Sequence, residues 1–393
     1  PRGMQAGYAA ADDEEACAMG HGRKLAAAGS RACRRTLARY SARAASSAMR
    51  KLLLFVAILA LINVAFLFVR PSHAAERSSD DGVNVGIVLD VGGLGDKSFN
   101  DGAYRGAIMA EKQLGAHIRL IEPGEGSDRE AGLRLLAAEH MDLVIGVGFI
   151  FTDDVTQLAQ EYPKTNFAVI DYSVSTDKNG NPIPPPPNVA AIKFKEEEGS
   201  FLVGALAALV GNSKKVGFVG GMDVPLIQKF EAGYRAGVKY VCPDCTVVAQ
   251  YAGVTPEAFR NPGKGKELAL NQYQQGVNVI YHASGSTGLG VFEAARQTGK
   301  YAIGVDADQY DEAPGRVLTS MVKGIDVSVV EMVRRVKDHT FKGGIYTFGL
   351  AQNGVGYVYD EHNRALIPDA VRARLEQIKA DIIAGKIVVP STR

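Results

Sequence analysis

The sequence predicts an α/β protein that consists of two doubly wound lobes. Short β-branched runs alternate with helical stretches from residue 83 onward, which is typical of a parallel sheet covered by helices. A proline-rich segment at residues 179–188 (NGNPIPPPPN) interrupts the alternation, because proline gives neither a strand nor a helix its backbone donor. A second series of the same kind follows this segment, so two similar lobes are expected.

Each element follows from a local pattern. Before the proline-rich segment, strands are predicted at 83–89, 117–122, 142–148 and 166–171, and helices at 99–115, 129–140 and 153–163. After it, strands are predicted at 188–194, 215–221, 246–252, 277–284 and 301–308, and helices at 196–211, 225–240, 266–275 and 288–299. Residues 317–340 and 344–360 are expected to cross between lobes. We therefore predict one lobe from 83–190 and 317–342, a second from 191–316 and 343–365, and a C-terminal tail at 366–393.

The first 74 residues differ from the rest. Residues 1–48 are rich in Ala and Arg without apolar periodicity, and we interpret them as a non-native or wrongly assigned extension, with translation beginning at Met49. Residues 49–74 have the basic start, apolar run and small residues of a signal peptide, which predicts cleavage after Ala74. An uncleaved membrane anchor is the alternative, because the apolar run at 52–69 approaches spanning length.

Charge and cysteine content limit the classes of function. Without residues 1–74 the chain has 33 basic and 39 acidic residues, which gives no electrostatic reason to bind nucleic acid or an anionic membrane. Cys242 and Cys245 are the cysteines that remain. They follow a predicted helix instead of beginning one, which favours a structural bridge or idle thiols over a redox site.

Polar and aromatic residues gather after the predicted strands. In the first lobe they are Asp90 with the loop GGLGDKSFN, and then Gly148, Phe149 and Asp153. In the second lobe they lie at 220–230, 284–290, 306–309 and 320–323. Ligands of open α/β sheets bind beyond the carboxyl ends of the strands. The sequence therefore predicts a ligand site in a cleft between the two lobes.

The loop GGLGDKSFN is a poor phosphate site. A P-loop requires G-x-x-x-x-G-K-[ST], whereas Asp96 here lies between Gly95 and Lys97. This insertion puts a carboxylate beside the anion position. We instead expect Asp96 and Ser98 to cap the helix that begins near Phe99.

Several segments resemble one known family. DVGGLGDKSFNDGAYRG, IGVGFIFTDDV, PLIQKFEAGYRAG, GSTGLGVFEAA, IGVDADQ and TSMVKGIDV occur in the order found in the basic membrane protein family of ABC-transporter solute receptors. The resemblance covers about residues 83–360 and is strongest to receptors for purine nucleosides. It implies a type I periplasmic binding protein, with three hinge crossings, that delivers its ligand to a membrane permease.

The resemblance also implies residues that contact the base. Phe99 and Phe230 would stack on its two faces, and Asn100 and Asp153 would bind its edge, with Asp90 close by. Stacking of this kind contributes about 1–3 kcal/mol per base.

For the sugar, the resemblance implies Asp306 and Lys323 as partners of the ribose hydroxyls. Gly285 would let the backbone approach the sugar closely. Asp308 is the alternative to Asp306, because both lie at the end of the same predicted strand, and Asp306 is preferred.

Each implied contact has a plainer alternative. Phe230 fits a helix core, Asn100 fits a helix cap, and Lys323 fits a solvated surface. Asp153 and Asp154 are adjacent, and the first is preferred because it lies nearer its strand.

The function that the sequence favours is a nucleoside receptor that is neither an enzyme nor a metal or cofactor protein. An enzyme acting on nucleosides would need a metal-bound water or a phosphate site, and no motif for either is evident. A transcription factor with this fold would carry an N-terminal helix-turn-helix. A receptor for another flat heterocycle such as riboflavin, and a ligand-sensing subunit, remain alternatives.

The remaining expectations concern partners and location. The partners expected are a nucleoside and permease subunits, with no nucleic acid, and the protein is expected to be a monomer. Since no cysteine lies between residues 34 and 241, we expect a periplasmic protein that is not a lipoprotein.

Overall fold

Residues 82–124 and 129–393, together with Leu54, are described in this computed structural model. Apart from Leu54, the predicted extension at 1–48 and the signal peptide at 49–74 lie outside the described residues. No helix in the described part of the chain is both long and apolar enough to cross a membrane.

The elements follow one another in the predicted alternation. The described residues contain strands β1 (Asn84–Val88), β2 (His117–Ile121), β3 (Leu143–Val147), β4 (Asn166–Ile170), β5 (Val189–Phe194), β6 (Lys215–Met222), β7 (Thr246–Gly253), β8 (Val279–Ala283), β9 (Tyr301–Asp306), β10 (Val317–Lys323), β11 (Gly344–Phe348) and β12 (Val355–Tyr357). They also contain helices α1 (Phe99–Leu114), α2 (Arg129–Ala138), α3 (Thr152–Glu161), α4 (Glu196–Val210), α5 (Pro225–Val241), α6 (Pro262–Gln274), α7 (Gly288–Thr298), α8 (Ile325–Lys337) and α9 (Asp369–Ile383).

These strands form two six-stranded sheets, one in each lobe. The first sheet has the order β11-β5-β4-β3-β1-β2, and all of its neighbours are parallel. The second has the order β12-β10-β9-β8-β6-β7, in which only the pairing of β10 with β12 is antiparallel. The prediction of two doubly wound α/β lobes is confirmed.

Both faces of the first sheet are covered because successive strand residues point in opposite directions. In β1, Val85 and Ile87 belong to the same apolar cluster as Ala103 of α1. Val88 instead belongs to the cluster that contains Leu133 of α2. A strand buried on both faces reads as a continuous apolar run, which explains why the sequence pattern located it.

Within the described residues, the chain passes between the lobes three times, at positions that differ from the predicted boundaries. The crossings follow β5, β10 and β11, close to residues 195, 324 and 349–354. The predicted boundary at 191 is wrong, because β5 is hydrogen-bonded between β4 and β11 in the first sheet. The proline-rich segment therefore joins two strands of the same sheet.

The last part of the chain needs two further corrections. The strand β10 was predicted in the first lobe and β11 in the second, whereas their sheet partners place them the other way round. The helix α8 does return to the first lobe, where a Cβ on Gly106 of α1 would lie 2.7 Å from the Asp326 carbonyl oxygen. The predicted tail contains α9, which buries Leu375 and Ile378 and packs against α4 of the second lobe.

Cys242 and Cys245 form a disulfide. The bond lies where α5 ends and before β7 begins, so it closes the connection between a helix and the next strand. Of the two alternatives that the sequence left open, a bridge or idle thiols, the structure has the bridge.

Candidate functional site

A cavity lies between the two lobes, next to the carboxyl ends of several strands. Its volume is about 580 Å³ when the part open to solvent is counted. This is the location that the strand-end argument predicts. The lining residues are Asp90, Gly92, Asp96, Phe99, Asn100, Gly148, Phe149 and Asp171 of the first lobe, and Leu226, Ile227, Phe230, Phe259, Ala283, Ser284, Gly285, Val305, Asp306 and Lys323 of the second.

The opening loop, residues 91–98, enters the cavity from the first lobe and is organised by Asp96. The Oδ1 atom of Asp96 accepts from the backbone N–H groups of Ser98 and Asp101, at 2.9 and 3.1 Å. Its Oδ2 atom accepts from the backbone N–H of Asn100 at 2.8 Å. Asp96 therefore binds the free donors at the start of α1, as expected. Ser98 does not share this role, because its hydroxyl points to the other lobe.

Asn100 connects the opening loop to the end of β1. Its Oδ1 accepts from the backbone N–H of Asp90 at 2.8 Å, and its Nδ2 donates to Asp96 Oδ2 at 3.0 Å. The amide can accept and donate one further hydrogen bond each, because an amide oxygen has two lone pairs and an amide nitrogen two hydrogens. Asn100 thus presents both kinds of group to the cavity from a fixed position.

The side chain of Asp90 lies in surroundings where a charged carboxylate is unfavourable. Burial raises its pKa to about 7, although the backbone N–H of Val91 and the charge of Arg129 act in the opposite direction. Near neutral pH the group is therefore divided between the acid and the carboxylate, and it can donate or accept a hydrogen bond.

Among the four phenylalanines of the described residues that line the cavity, Phe99 and Phe230 belong to opposite lobes. Phe99 is the first residue of α1, and Phe230 lies on α5 with 3% of its surface exposed. The ammonium group of Lys323 lies 5.1 Å from the centre of the Phe99 ring and 5.6 Å from that of Phe230. Both rings therefore lie close to the same ammonium group at the cavity wall.

Lys323 is a buried cation, with 4% of its surface exposed, and not a solvated lysine. Its Nζ lies 2.6 Å from Asp171 Oδ2 and 3.3 Å from Glu196 Oε1. Burial alone would lower the pKa of Lys323, but the carboxylates of Asp171, Glu196 and Asp306 outweigh it and raise the pKa. Lys323 consequently remains charged, and its ammonium group has three N–H donors, one of which Asp171 accepts.

Asp306 faces the cavity at the end of β9 and contacts the other lobe. Its Oδ2 accepts from the Ser98 hydroxyl at 2.5 Å. Burial raises its pKa to about 6, while the charge of Lys323 acts in the opposite direction. Asp308, the alternative in the sequence, is exposed and does not line the cavity. Asp306 is thus the better placed of the two.

Gly285 lines the cavity with a left-handed backbone, at φ 56°. A Cβ at this position would lie 3.1 Å from the carbonyl oxygen of Phe259, so the turn favours glycine for two reasons. Because Gly285 has no side chain, its backbone is accessible from the cavity.

Asp153 is not brought to the cavity, which corrects the prediction for this residue. The short 3₁₀ turn Phe149–Phe151 separates it from β3, and its side chain is exposed in the first turn of α3. Asp154 is half-buried and does not line the cavity either. Phe149 takes the position at the cavity wall instead.

Asp171 lines the cavity and contacts Lys323, although it is not among the residues predicted from the sequence. Asp171 directly follows β4, so the strand-end argument applied to the fourth strand would have found it. It is 7% exposed, and its Oδ1 atom has no hydrogen-bond partner among the described residues. Such an acceptor is available to a ligand hydroxyl.

One group of metal-ligand type lies outside the cavity lining. In the described residues, ligand atoms of Asp308, Asp360 and His362 all lie within 4.8 Å of one another. Asp308 and His362 are exposed, and His362 stacks on Tyr310 at 4.7 Å. This surface group contributes nothing to the cavity between the lobes.

Comparison with known proteins identifies one family. The family described as Bmp, ABC transporter substrate-binding protein PnrA-like, matches residues 83–393. A CD4+ T-cell-stimulating antigen of Listeria innocua is 36% identical over 80% of this chain and 90% of its own length. The ABC transporter nucleoside-binding protein BmpA of Lactococcus lactis is 33% identical over 87% of this chain and 100% of its own.

Solved structures agree with the fold. A solute-binding protein of an ABC transporter system from Aeropyrum pernix K1 has a TM-score of 0.70 and 30% identity, over 78% of this chain and 94% of that one. A second such protein, from Conexibacter woesei, has a TM-score of 0.62 over 79% and 99% of the two chains. At 23% identity, the second likeness supports the fold alone.

The relatives overturn one expectation. A protein of Pyrococcus abyssi that is 35% identical over 79% of this chain is named an uncharacterized lipoprotein, as are relatives from two other Pyrococcus species. These names contradict the expectation that the protein is not a lipoprotein. That expectation depended on the absence of a cysteine just after the predicted signal peptide, in a segment outside the described residues.

Proposed function

The chain belongs to the Bmp family of PnrA-like ABC transporter substrate-binding proteins, and on that premise we propose that it binds nucleosides, with purine nucleosides preferred. The ligand would be held in the cavity between the lobes and delivered to the permease of an ABC importer. Both walls of the cavity come from one chain, so we propose that the receptor acts as a monomer.

One observation carries this proposal, namely the combination of aromatic and polar groups in a single buried cavity. Phe99 and Phe230 approach from opposite lobes, as stacking on both faces of a base requires. Asn100 supports recognition of the edge of the base with one donor and one acceptor. Asp171 Oδ1 and the ammonium group of Lys323 support recognition of sugar hydroxyls.

The charge of the cavity favours a ligand without an anionic group. Among the described residues that line it, Lys323 is the only basic side chain, and its charge is already shared by Asp171 and Glu196. Asp96 and Asp306 add further carboxyl groups. A phosphate here would lack a cation and would carry the cost of an uncompensated buried charge, which is several kcal/mol.

We further propose that the ligand is released unchanged. One group of side chains has the order of a nucleophile, a base and an orienting group. Ser284 Oγ lies 3.3 Å from His282 Nδ1, and His282 Nε2 lies 3.0 Å from Gln309 Oε1. Burial lowers the pKa of His282 to about 4, which makes it a weak base. The third group is a neutral amide that cannot stabilise an imidazolium ion as a carboxylate does. This arrangement suits binding better than catalysis.

A thermal-shift panel with the full chain tests the proposal. The panel comprises purine and pyrimidine nucleosides, free bases, ribose and riboflavin. We expect guanosine, inosine or adenosine to raise the melting temperature the most, because stabilisation grows with the logarithm of ligand concentration over Kd. The largest shift with riboflavin would favour a receptor for another flat heterocycle, and no shift with any nucleoside would reject the proposed function.

A further inference from the structure

Gln309 follows β9 and lies at the contact between the lobes, with 2% of its surface exposed. Its Oε1 accepts from the backbone N–H of Val305 at 2.8 Å. Its Nε2 donates to the carbonyl oxygen of Lys97 at 3.0 Å, and Lys97 belongs to the opening loop of the first lobe. One side-chain amide therefore connects a strand end of the second lobe to the loop of the first.

The orientation of this amide is fixed by the donors around it. The N–H of Val305 can only donate, so the oxygen of Gln309 must face it and the nitrogen must face Lys97. His282 Nε2 lies 3.0 Å from the same oxygen and must carry its proton there. Its Nδ1 then accepts from the Ser284 hydroxyl at 3.3 Å. A chain of hydrogen bonds thus runs from the cavity wall at Ser284 to Lys97.

Gln309 contacts the opening loop at Lys97, a residue whose backbone conformation is fixed by further contacts. Lys97 has a left-handed backbone, with φ 55°, and its N–H donates to Asp101 Oδ2 at 3.1 Å. A lysine adopts this conformation at a cost, so other contacts must stabilise it. The next residue of the loop, Ser98, also contacts the second lobe, because its hydroxyl donates to Asp306. Phe99 follows directly, so the position of its ring depends on both contacts.

We propose that Gln309 is a positioning residue for ligand binding, which holds the opening loop against the second lobe. Through this contact it sets where Phe99 and Asn100 stand in the cavity. Gln309 does not touch the ligand in this account. The inference depends on the proposed function only for the ligand that is used as a probe.

The chain offers a matched control for the test. Gln272 is also buried, at 0% exposed, and its Nε2 donates to the carbonyl oxygen of Phe218 within the second lobe. Gln272→Met and Gln309→Met each remove one buried amide of similar size. A purely structural role predicts similar consequences for both. A positioning role predicts that only Gln309→Met changes the contact between lobes.

The experiment measures the distance between lobes by pulsed EPR and the dissociation rate of guanosine by stopped flow. Spin labels are attached at Gln113→Cys on α1 and Gln274→Cys on α6, both exposed. With guanosine, Gln309→Met should broaden the distance distribution and speed dissociation about fivefold, the loss expected for one net hydrogen bond. Gln272→Met should keep the wild-type distances and rate while lowering the melting temperature.

Wild-type distances and rate in Gln309→Met, or equal changes in Gln272→Met, would overturn the inference. Failure of the wild type to bind guanosine would instead count against the proposed function. The inference is then tested without ligand by the distance between the two spin labels. A larger fraction of Gln309→Met molecules should have the labels far apart than in the wild type or Gln272→Met. Equal populations in all three proteins would overturn it.

Discussion

Lys323 of the second lobe donates to Asp171 of the first across 2.6 Å, and both side chains are buried. Breaking a buried ion pair on one side leaves an uncompensated charge, whereas removing both partners is often neutral. The pair therefore connects the lobes and also keeps a charged donor in the cavity.

The first prediction concerns this pair. Asp171→Asn should lower the free energy of unfolding by about 3 kcal/mol, because Lys323 keeps its charge but loses its nearest carboxylate. Adding Lys323→Met should recover much of the loss, since Glu196 retains Lys229 at 2.7 Å. Urea denaturation measures both changes in the free energy of unfolding.

As a control, Asp244→Asn in the exposed pair with Lys214 should change the free energy of unfolding by less than about 1 kcal/mol. Simple additivity of Asp171→Asn and Lys323→Met would contradict the coupling.

The second prediction concerns the aromatic rings. Phe230→Leu should weaken nucleoside binding by about 1–3 kcal/mol, because one stacking face is lost. Phe218 is fully buried in the same lobe but does not line the cavity. Phe218→Leu should therefore lower the melting temperature and leave affinity unchanged. Calorimetric titration and thermal unfolding check the two variants, and unchanged affinity in Phe230→Leu would count against stacking.

The third prediction concerns anionic ligands. Guanosine should bind at least about a hundredfold more tightly than its 5′-monophosphate, since a buried charge without a partner costs several kcal/mol. Competition titration at constant ionic strength measures the ratio. Comparable affinities would mean that the phosphate finds a cation or remains in solvent, contrary to the charge argument.

The fourth prediction is a pH dependence. The pKa of Asp90 is raised from 3.8 to about 7, so the native protein holds a proton that the unfolded chain has already lost between these values. Ionisation then destabilises the fold as pH rises. Relative to Asp90→Asn, the ligand-free wild type should lose about 2–3 kcal/mol of unfolding free energy between pH 5 and pH 8, at about 1.4 kcal/mol per pKa unit.

Urea denaturation at several pH values checks this prediction. Both proteins contain His282 and Asp306, whose pKa values are also shifted, so comparing the two proteins isolates Asp90. Identical pH profiles would show that Asp90 is not ionising in an unfavourable place.

The sequence predicts the strands and helices better than their assignment to lobes. Leu143–Val147 is buried on both faces and reads as an apolar run, so local pattern is sufficient to find it. Whether a strand joins one sheet or the other depends on hydrogen-bond partners far away in the chain. The strand Val189–Phe194 pairs with residues 344–348, and no local pattern reports that pairing.

The same distinction applies to the cavity. Residues at or just past the end of a strand, such as Asp90 and Asp306, line the cavity, as their positions predict. Asp153 does not, because the intervening turn Phe149–Phe151 directs the start of its helix away from the cavity. The pairing of Lys323 with Asp171 could not be predicted from the sequence, because the two residues belong to different sheets that meet only in the folded protein.

Equilibrium dialysis of the full chain against labelled guanosine, with chromatography of the recovered ligand, tests the central claim most directly. Binding in one cavity between two lobes predicts saturation at one guanosine per chain, weaker binding by Phe230→Leu, and recovery of intact guanosine. No saturable binding would contradict a nucleoside receptor, and accumulation of free guanine would contradict a receptor that releases its ligand unchanged.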